Sequence, residues 1–143
     1  MKISTRGRYA LRVMIDLAEH RAGEYIPLMD IAKRQEISEK YLESIVSILN
    51  KSGFLVSLRG KSGGYRLARE AESYTVASVL HLTEGSLAPI PCVEQEENDC
   101  PRASFCKTVA MWKGLHKVIE DYLNSITIAD LAEDQTEFGD YVI

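Results

Sequence analysis

Apolar positions near the start of the chain recur on a helical arc. Ala10, Leu11, Met14, Leu17 and Ala18 share one face of residues 4–21, and Ser4 stands where an N-cap belongs. Arg6, Arg8 and Arg12 crowd the first turns. That end of a helix dipole disfavours cations, so either a phosphate backbone or plain solvation must account for them. Ala22-Gly23-Glu24 reads as a turn. The run LMDIAKRQEISEKYLESIVSILNKSGFL then predicts a short helix over 28–35, a tight turn at Glu36-Ile37, and a longer helix from Ser38 to Lys51. Ser38 is its cap. Tyr41, Leu42, Ile45, Ile48 and Leu49 form the inward stripe, which leaves Glu39, Lys40, Glu43, Ser44 and Ser47 outside. Gly53 stops the helix in a left-handed conformation.

The period then changes. FLVSL (54–58) and YRLA (65–68) are strand-like and are joined by RGKSGG, whose glycines permit a tight reversal. Arg59, Lys61 and Arg66 put positive charge on and beside the hairpin tip. Two short helices with a tight turn are a common packing unit. Followed by a basic hairpin they predict a winged helix, with the outer helix face in a major groove and a wing arginine in the minor groove. Gly60-Lys61-Ser62 resembles the end of a phosphate-binding loop, but Leu55 stands where that motif needs glycine, and the segment is a hairpin rather than strand-to-helix.

Thr75 caps a predicted helix over 75–85. A polar loop follows to Arg102, and a long helix is expected over 103–125. Its stripe holds Phe105, Val109, Trp112, Leu115, Ile119, Tyr122 and Ile126; Met111, Val118 and Leu123 add a second. Trp112, Ile119 and Ile126 stand seven apart, the spacing of a helix–helix seam, which predicts a dimer. TIADLAED (127–134) adds a short helix, and EFGDYVI is expected to be loosely ordered. The fold class is therefore mainly α with a small β-hairpin wing. Its parts are a winged helix-turn-helix over 1–84, a cysteine loop over 85–102 with the third cysteine at the start of the next helix, and a dimerisation helix and tail over 103–143.

Charge sharpens this division. Residues 1–69 hold 13 Lys and Arg against 7 Asp and Glu, whereas residues 70–143 hold 4 against 14. The basic half suits a polyanion and the acidic half faces away from it. No apolar run approaches the ~20 residues of a membrane span. The N-terminus, interrupted by arginines, is unlike a secretory signal. A soluble, cytoplasmic protein without membrane association is expected. There is no nucleophile–base arrangement, so an enzyme is not expected.

All three cysteines lie in CVEQEENDCPRASFC, residues 92–106, separated by seven and then five residues. In a reducing cytosol such clustering points to metal, cluster or redox chemistry rather than a structural disulfide. Zinc knuckles and ferredoxin runs use x2 steps that are absent here. The wider spacing suits a loop draped around a 2Fe–2S cluster, completed by a non-cysteine ligand. Another metal, a thiol redox switch, or cysteines serving as small hydrophobes remain open on the residues alone.

The opening MKISTRGRYALRVMIDLA, the segment ISEKYLESIVSILNKSGFLVSLRGKSGGYRLA, the cysteine triplet and the AMWKGL helix together resemble the iron–sulfur cluster regulator (IscR) family. That family's relatives include nitric-oxide-sensing and cysteine-metabolism repressors. The match covers about residues 1–132. It implies a homodimeric winged-helix regulator of an inverted-repeat operator in double-stranded DNA, with a 2Fe–2S cluster on Cys92, Cys100 and Cys106 as cofactor and metal site. The recognition helix carried over is 38–50. The DNA-contacting set is Arg8, Ser38, Lys40, Tyr41, Glu43, Ser44, Arg59 and Lys61. The chain departs from the family at the fourth ligand. Val109 stands where many members have histidine, and Arg8 stands where others have an acidic residue. His116 and the loop carboxylates Glu94, Glu96, Glu97 and Asp99 are the remaining candidates, whereas His20 and His81 read as ordinary surface or core histidines. A thiol- or nitric-oxide-responsive repressor of the same fold is the alternative; a cluster carrier or electron-transfer protein is the alternative of another class.

Overall fold

Ser4 begins the first helix by accepting a hydrogen bond from Gly7 N at 3.0 Å. In the computed structural model, which describes residues 2–20 and 23–133, helix α1 spans Thr5–Glu19 and runs through the middle of the molecule. Ala10, Val13 and Met14 are fully buried. Ser4 N–H and Oγ both bond the Glu84 carboxylate, which ties the start of α1 to the helix it crosses. Gly7 is buried at that crossing, where a Cβ would lie 2.9 Å from Glu84 Oε1, the end of a flexible side chain.

Helices α2 (Leu28–Gln35) and α3 (Glu39–Lys51) have the expected extents. Between them Glu36 adopts φ 54°, a left-handed conformation that costs a non-glycine residue about 1 kcal/mol. Ser38 Oγ caps α3 by accepting from Tyr41 N at 3.2 Å. At the other end Gly53 N bonds Asn50 O (3.1 Å) and Phe54 N bonds Leu49 O (2.9 Å), the paired bonds of a Schellman stop around a left-handed glycine. Leu42, Ile45, Val46 and Leu49 are buried; Tyr41 and Ile48 are half-buried, and Val46 joins a stripe from which the sequence reading omitted it.

Strands β1 (Leu55–Leu58) and β2 (Gly64–Leu67) pair antiparallel, Leu55 opposite Leu67 and Leu58 opposite Gly64. The wing is anchored at its base, where Ile26 and Tyr65 exchange backbone bonds of 2.8 and 2.9 Å. Gly64 is needed there: a Cβ would meet Ile26 O at 2.2 Å. Helix α4 (Val76–Glu84) starts from a reciprocal Thr75–Ser78 capping box. The chain then leaves the core and forms helix α5 (Val109–Asn124). It returns where Val76 N bonds Ile126 O and Ile128 N bonds Tyr74 O, each at 2.9 Å, placing α6 (Ile128–Glu133) against α1.

Two expectations change here. The long helix starts at Val109, not Ala103, so Cys106 precedes it rather than opening it. Residues 101–105 are held by short turns, Ala103 N to Cys100 O (3.0 Å) and Phe105 N to Arg102 O (3.1 Å), and apolar Ala103 and Phe105 imitated a helical period. The seam is also rearranged. Ile119, Leu123 and Ile126 pack on the chain's own Val76, Ala77, Leu80 and Leu87. The face left open holds Met111, Leu115, Val118 and Tyr122, 40–64% exposed. The tail expected to be loosely ordered lies outside the described residues.

Candidate nucleic-acid interface and cysteine loop

Helix α3 and the wing face each other across a cleft. Glu39 and Glu43 line it from the helix, Arg59 and Lys61 from the wing, and Met29, Leu58 and Tyr65 complete its walls. The structure thus brings together Glu43, Arg59 and Lys61 of the expected DNA-contacting set. Ser38, Lys40, Tyr41 and Ser44 are not among the cleft's lining residues. Ser38, Lys40 and Ser44 are exposed. Two hydroxyls already have partners: Ser38 Oγ is the cap, and Ser44 Oγ donates to Tyr41 O at 2.7 Å. Tyr41 packs its ring edge-on to Tyr9 with centroids 5.8 Å apart. Arg8, exposed on α1, donates to Thr5 Oγ1 at 3.0 Å.

The third α1 arginine has a different role. Arg12 Nε donates to Gln35 Oε1 at 3.0 Å, Arg12 Nη2 donates to Gln35 O, and its guanidinium lies 5.0 Å from the Tyr9 ring centroid. Gln35 and Arg34 in turn donate to Asp16, a fully buried carboxylate. The hydrogen bond to Asp16, reinforced by its charge, raises the Arg34 pKa above the ordinary value. Sequence reading missed this group. Its signal was a second stripe on α1: Tyr9, Arg12, Asp16 and His20 recur at steps of three and four beside the apolar arc.

The cysteine loop is pinned by buried Leu87 (2% exposed) and Val93 (7%). Cys92 sits in a short 3-10 turn, Pro91–Val93. It shares with Cys100 a cavity of about 320 Å³, which Glu94, Glu97 and Asp99 also line. Cys106 is not part of that lining. All three thiols are free and half-buried. Cys106 Sγ lies 3.4 Å from Thr108 Oγ1. That hydroxyl, followed by the Thr108 backbone N–H, holds the Cys106 pKa below the ordinary thiol value; Val109 N–H and Arg102 add smaller contributions. His116 Nε2 lies 3.4 Å from Glu120 Oε1, and His81 Nε2 lies 3.0 Å from Glu120 Oε2, so both histidines meet at the α4–α5 seam. Among the described residues no three His, Cys, Asp or Glu side chains are gathered where one metal ion could be held.

Known proteins are similar to this chain over most of its length. Protein rrf2 of Nitratidesulfovibrio vulgaris is 40% identical over 134 residues, covering 94% of this chain and 89% of its own. The HTH-type transcriptional regulator IscR of Vibrio campbellii is also 40% identical over 134 residues, covering 94% and 79%. The solved structure of CymR, the global cysteine regulator of B. subtilis, superposes with a TM-score of 0.76 at 36% identity, covering 92% of this chain and 96% of that one. The Rrf2 family model, described as an iron-dependent transcriptional regulator, matches residues 3–134. With the winged helix in place and this likeness along nearly the whole chain, the protein belongs to the Rrf2 family of DNA-binding transcriptional regulators.

Proposed function

We propose that this regulator is a cytoplasmic homodimer that reads an inverted-repeat operator and senses iron–sulfur status through a 2Fe–2S cluster on Cys92, Cys100 and Cys106. The observation that carries the reading is the cavity shared by Cys92 and Cys100 in a loop pinned to the regulator fold. Three thiolates on one loop are the soft donor set that such a cluster takes, so the residues fit in kind. Cys106 has to move toward the cavity for the set to close. The fourth ligand is open; Glu94, Glu97 and Asp99 already line the cavity, whereas His116 is engaged with Glu120. When bound, the cluster supplies a redox-labile link among these residues. Loop 92–106 joins α4 to α5, so its ordering shifts the dimer helix against the winged domain and changes operator preference.

The DNA contacts proposed are Glu43 in the major groove and Arg59 in the minor groove, with Arg8, Ser38, Lys40, Tyr41, Ser44 and Lys61 completing the set. A second copy covers Met111, Leu115, Val118 and Tyr122, because these form one exposed apolar face on a helix with no buried residue. No helix among the described residues is long and apolar enough to cross a membrane.

The test is anaerobic purification with iron and sulfide assays and a visible spectrum. About two irons and two sulfides per chain are expected for one 2Fe–2S centre, lost in Cys92→Ala. A colourless, iron-free protein after reconstitution would overturn the cluster. A steep fall of DNA affinity with salt separates a regulator from a cluster carrier. A second reading, a thiol switch without iron, is favoured by the Cys106 thiol beside Thr108, whose hydroxyl holds its pKa below the ordinary value. It predicts loss of two thiols per chain on oxidation in the metal-free protein.

A further inference from the structure

Helix α2 is short for an element on which the recognition helix depends. It has eight residues and no side-chain cap at its start, and an isolated helix of that length is not stable in water. Apolar burial at α2 comes from Ile31 and Ala32, with Leu28 partly buried on the same core and buried Ile37 following in the turn. Its last two residues add a polar anchor. Asp16, 0% exposed on α1, accepts from Arg34 Nη2 at 2.7 Å through Oδ1, and from Arg34 Nε at 3.0 Å and Gln35 Nε2 at 2.9 Å through Oδ2. Gln35 then accepts from Arg12, whose guanidinium stacks on Tyr9, and Tyr9 meets Tyr41 in the first turn of α3. One continuous path of contacts runs from a buried carboxylate to the start of the recognition helix. Arg34 and Gln35 are the last residues of α2, and the next residue is the left-handed Glu36 that aims α3.

We infer that Asp16 is a positioning residue for sequence-specific DNA reading: it fixes the end of α2, and through it the pose of α3. The inference rests on α3 being the element that enters the groove. A buried network of this kind is unforgiving, because a mismatched partner leaves a polar group unsatisfied. Asp16→Asn keeps the shape but turns one acceptor into a donor. Placed at Oδ1, the new NH2 meets Arg34 Nη2; placed at Oδ2, it meets Arg34 Nε and Gln35 Nε2. Flipping Gln35 to accommodate it presents a donor to Arg12. The phosphate-facing charges of the wing and of Arg8 are untouched.

The experiment uses the full chain and a duplex selected from a random pool by the wild-type protein, with a scrambled duplex of the same length. Binding of both is titrated at several salt concentrations, at a temperature where circular dichroism shows the variant folded. For Asp16→Asn we expect at least a tenfold loss of affinity for the selected duplex. Affinity for the scrambled duplex and the salt slope should remain as in wild type, which a loss of folded protein would not produce. Arg12→Met, half-buried at the far side of Gln35, should reduce the ratio of selected to scrambled affinity without lowering the salt slope. It decides the matter should Asp16→Asn not fold. Wild-type discrimination in the folded variants would overturn the inference alone. A wild-type protein that prefers no duplex would overturn the groove reading and the inference with it.

Discussion

Val118→Ala tests the proposed dimer with the smallest change that has a calculable effect. Val118 is 64% exposed on α5, at the centre of the open face formed with Met111, Leu115 and Tyr122. Alanine removes two methyl groups, each contributing about 0.8 kcal/mol when fully buried. Scaled by the 64% still available for burial, the loss is about 1 kcal/mol per protomer. In a two-fold interface the same substitution occurs twice, so the dimer loses about 2 kcal/mol, roughly a thirtyfold rise in Kd. Alanine also improves helix propensity, but that acts equally on monomer and dimer and cancels from Kd. Sedimentation equilibrium over a range of concentrations measures the constant, with circular dichroism confirming an unchanged fold. A Kd within a factor of about three of wild type would refute the reasoning, as would a wild-type chain that stays monomeric throughout.

Other consequences follow from particular contacts. Glu43→Ala should relax sequence choice in binding titrations on variant operators, because a carboxylate in the groove accepts from cytosine N4 and repels phosphate; an unchanged preference profile would remove Glu43 from the reading set. Thr108→Val should slow alkylation of Cys106 at neutral pH in metal-free protein. Without the hydroxyl the thiol pKa rises toward its ordinary value, thiolate falls tenfold per unit, and the gain in nucleophilicity recovers less than half of that on the logarithmic scale; an unchanged rate, read by mass spectrometry, would discount the Thr108 contact. Gly64→Ala should cost about 2–4 kcal/mol in urea unfolding, since its Cβ would meet the Ile26 carbonyl, a backbone atom with no rotamer to change; a cost under about 1 kcal/mol would show that the wing base gives way easily.

Elements whose signals are local were legible in the chain. The extent of α2, the Ser38 cap, the Gly53 stop and the hairpin at RGKSGG could be read directly, because caps, glycine conformations and side-chain period act over a few residues. The cysteine cluster and the charge division were equally plain. The inward stripes of α1 and α3 were legible too, but which distant segment each face meets came only from the packed fold. A stripe such as Trp112, Ile119 and Ile126 announces a helix, but only the return of the chain at Thr75–Thr127 shows that Ile119, Leu123 and Ile126 are occupied by their own core and that Val118 is not. The same holds for Asp16, whose partners lie 18 and 19 residues along the chain, and for Gly64, whose constraint is the Ile26 carbonyl. It holds for the thiols as well: spacing puts three in one loop, but the turns at Cys100–Phe105 leave Cys92 and Cys100 on one cavity and Cys106 beside Thr108. Local sequence sets backbone conformation through short-range sterics and hydrogen bonds. Which surfaces are buried depends on segments brought together from a distance, and that is settled only when the whole chain packs.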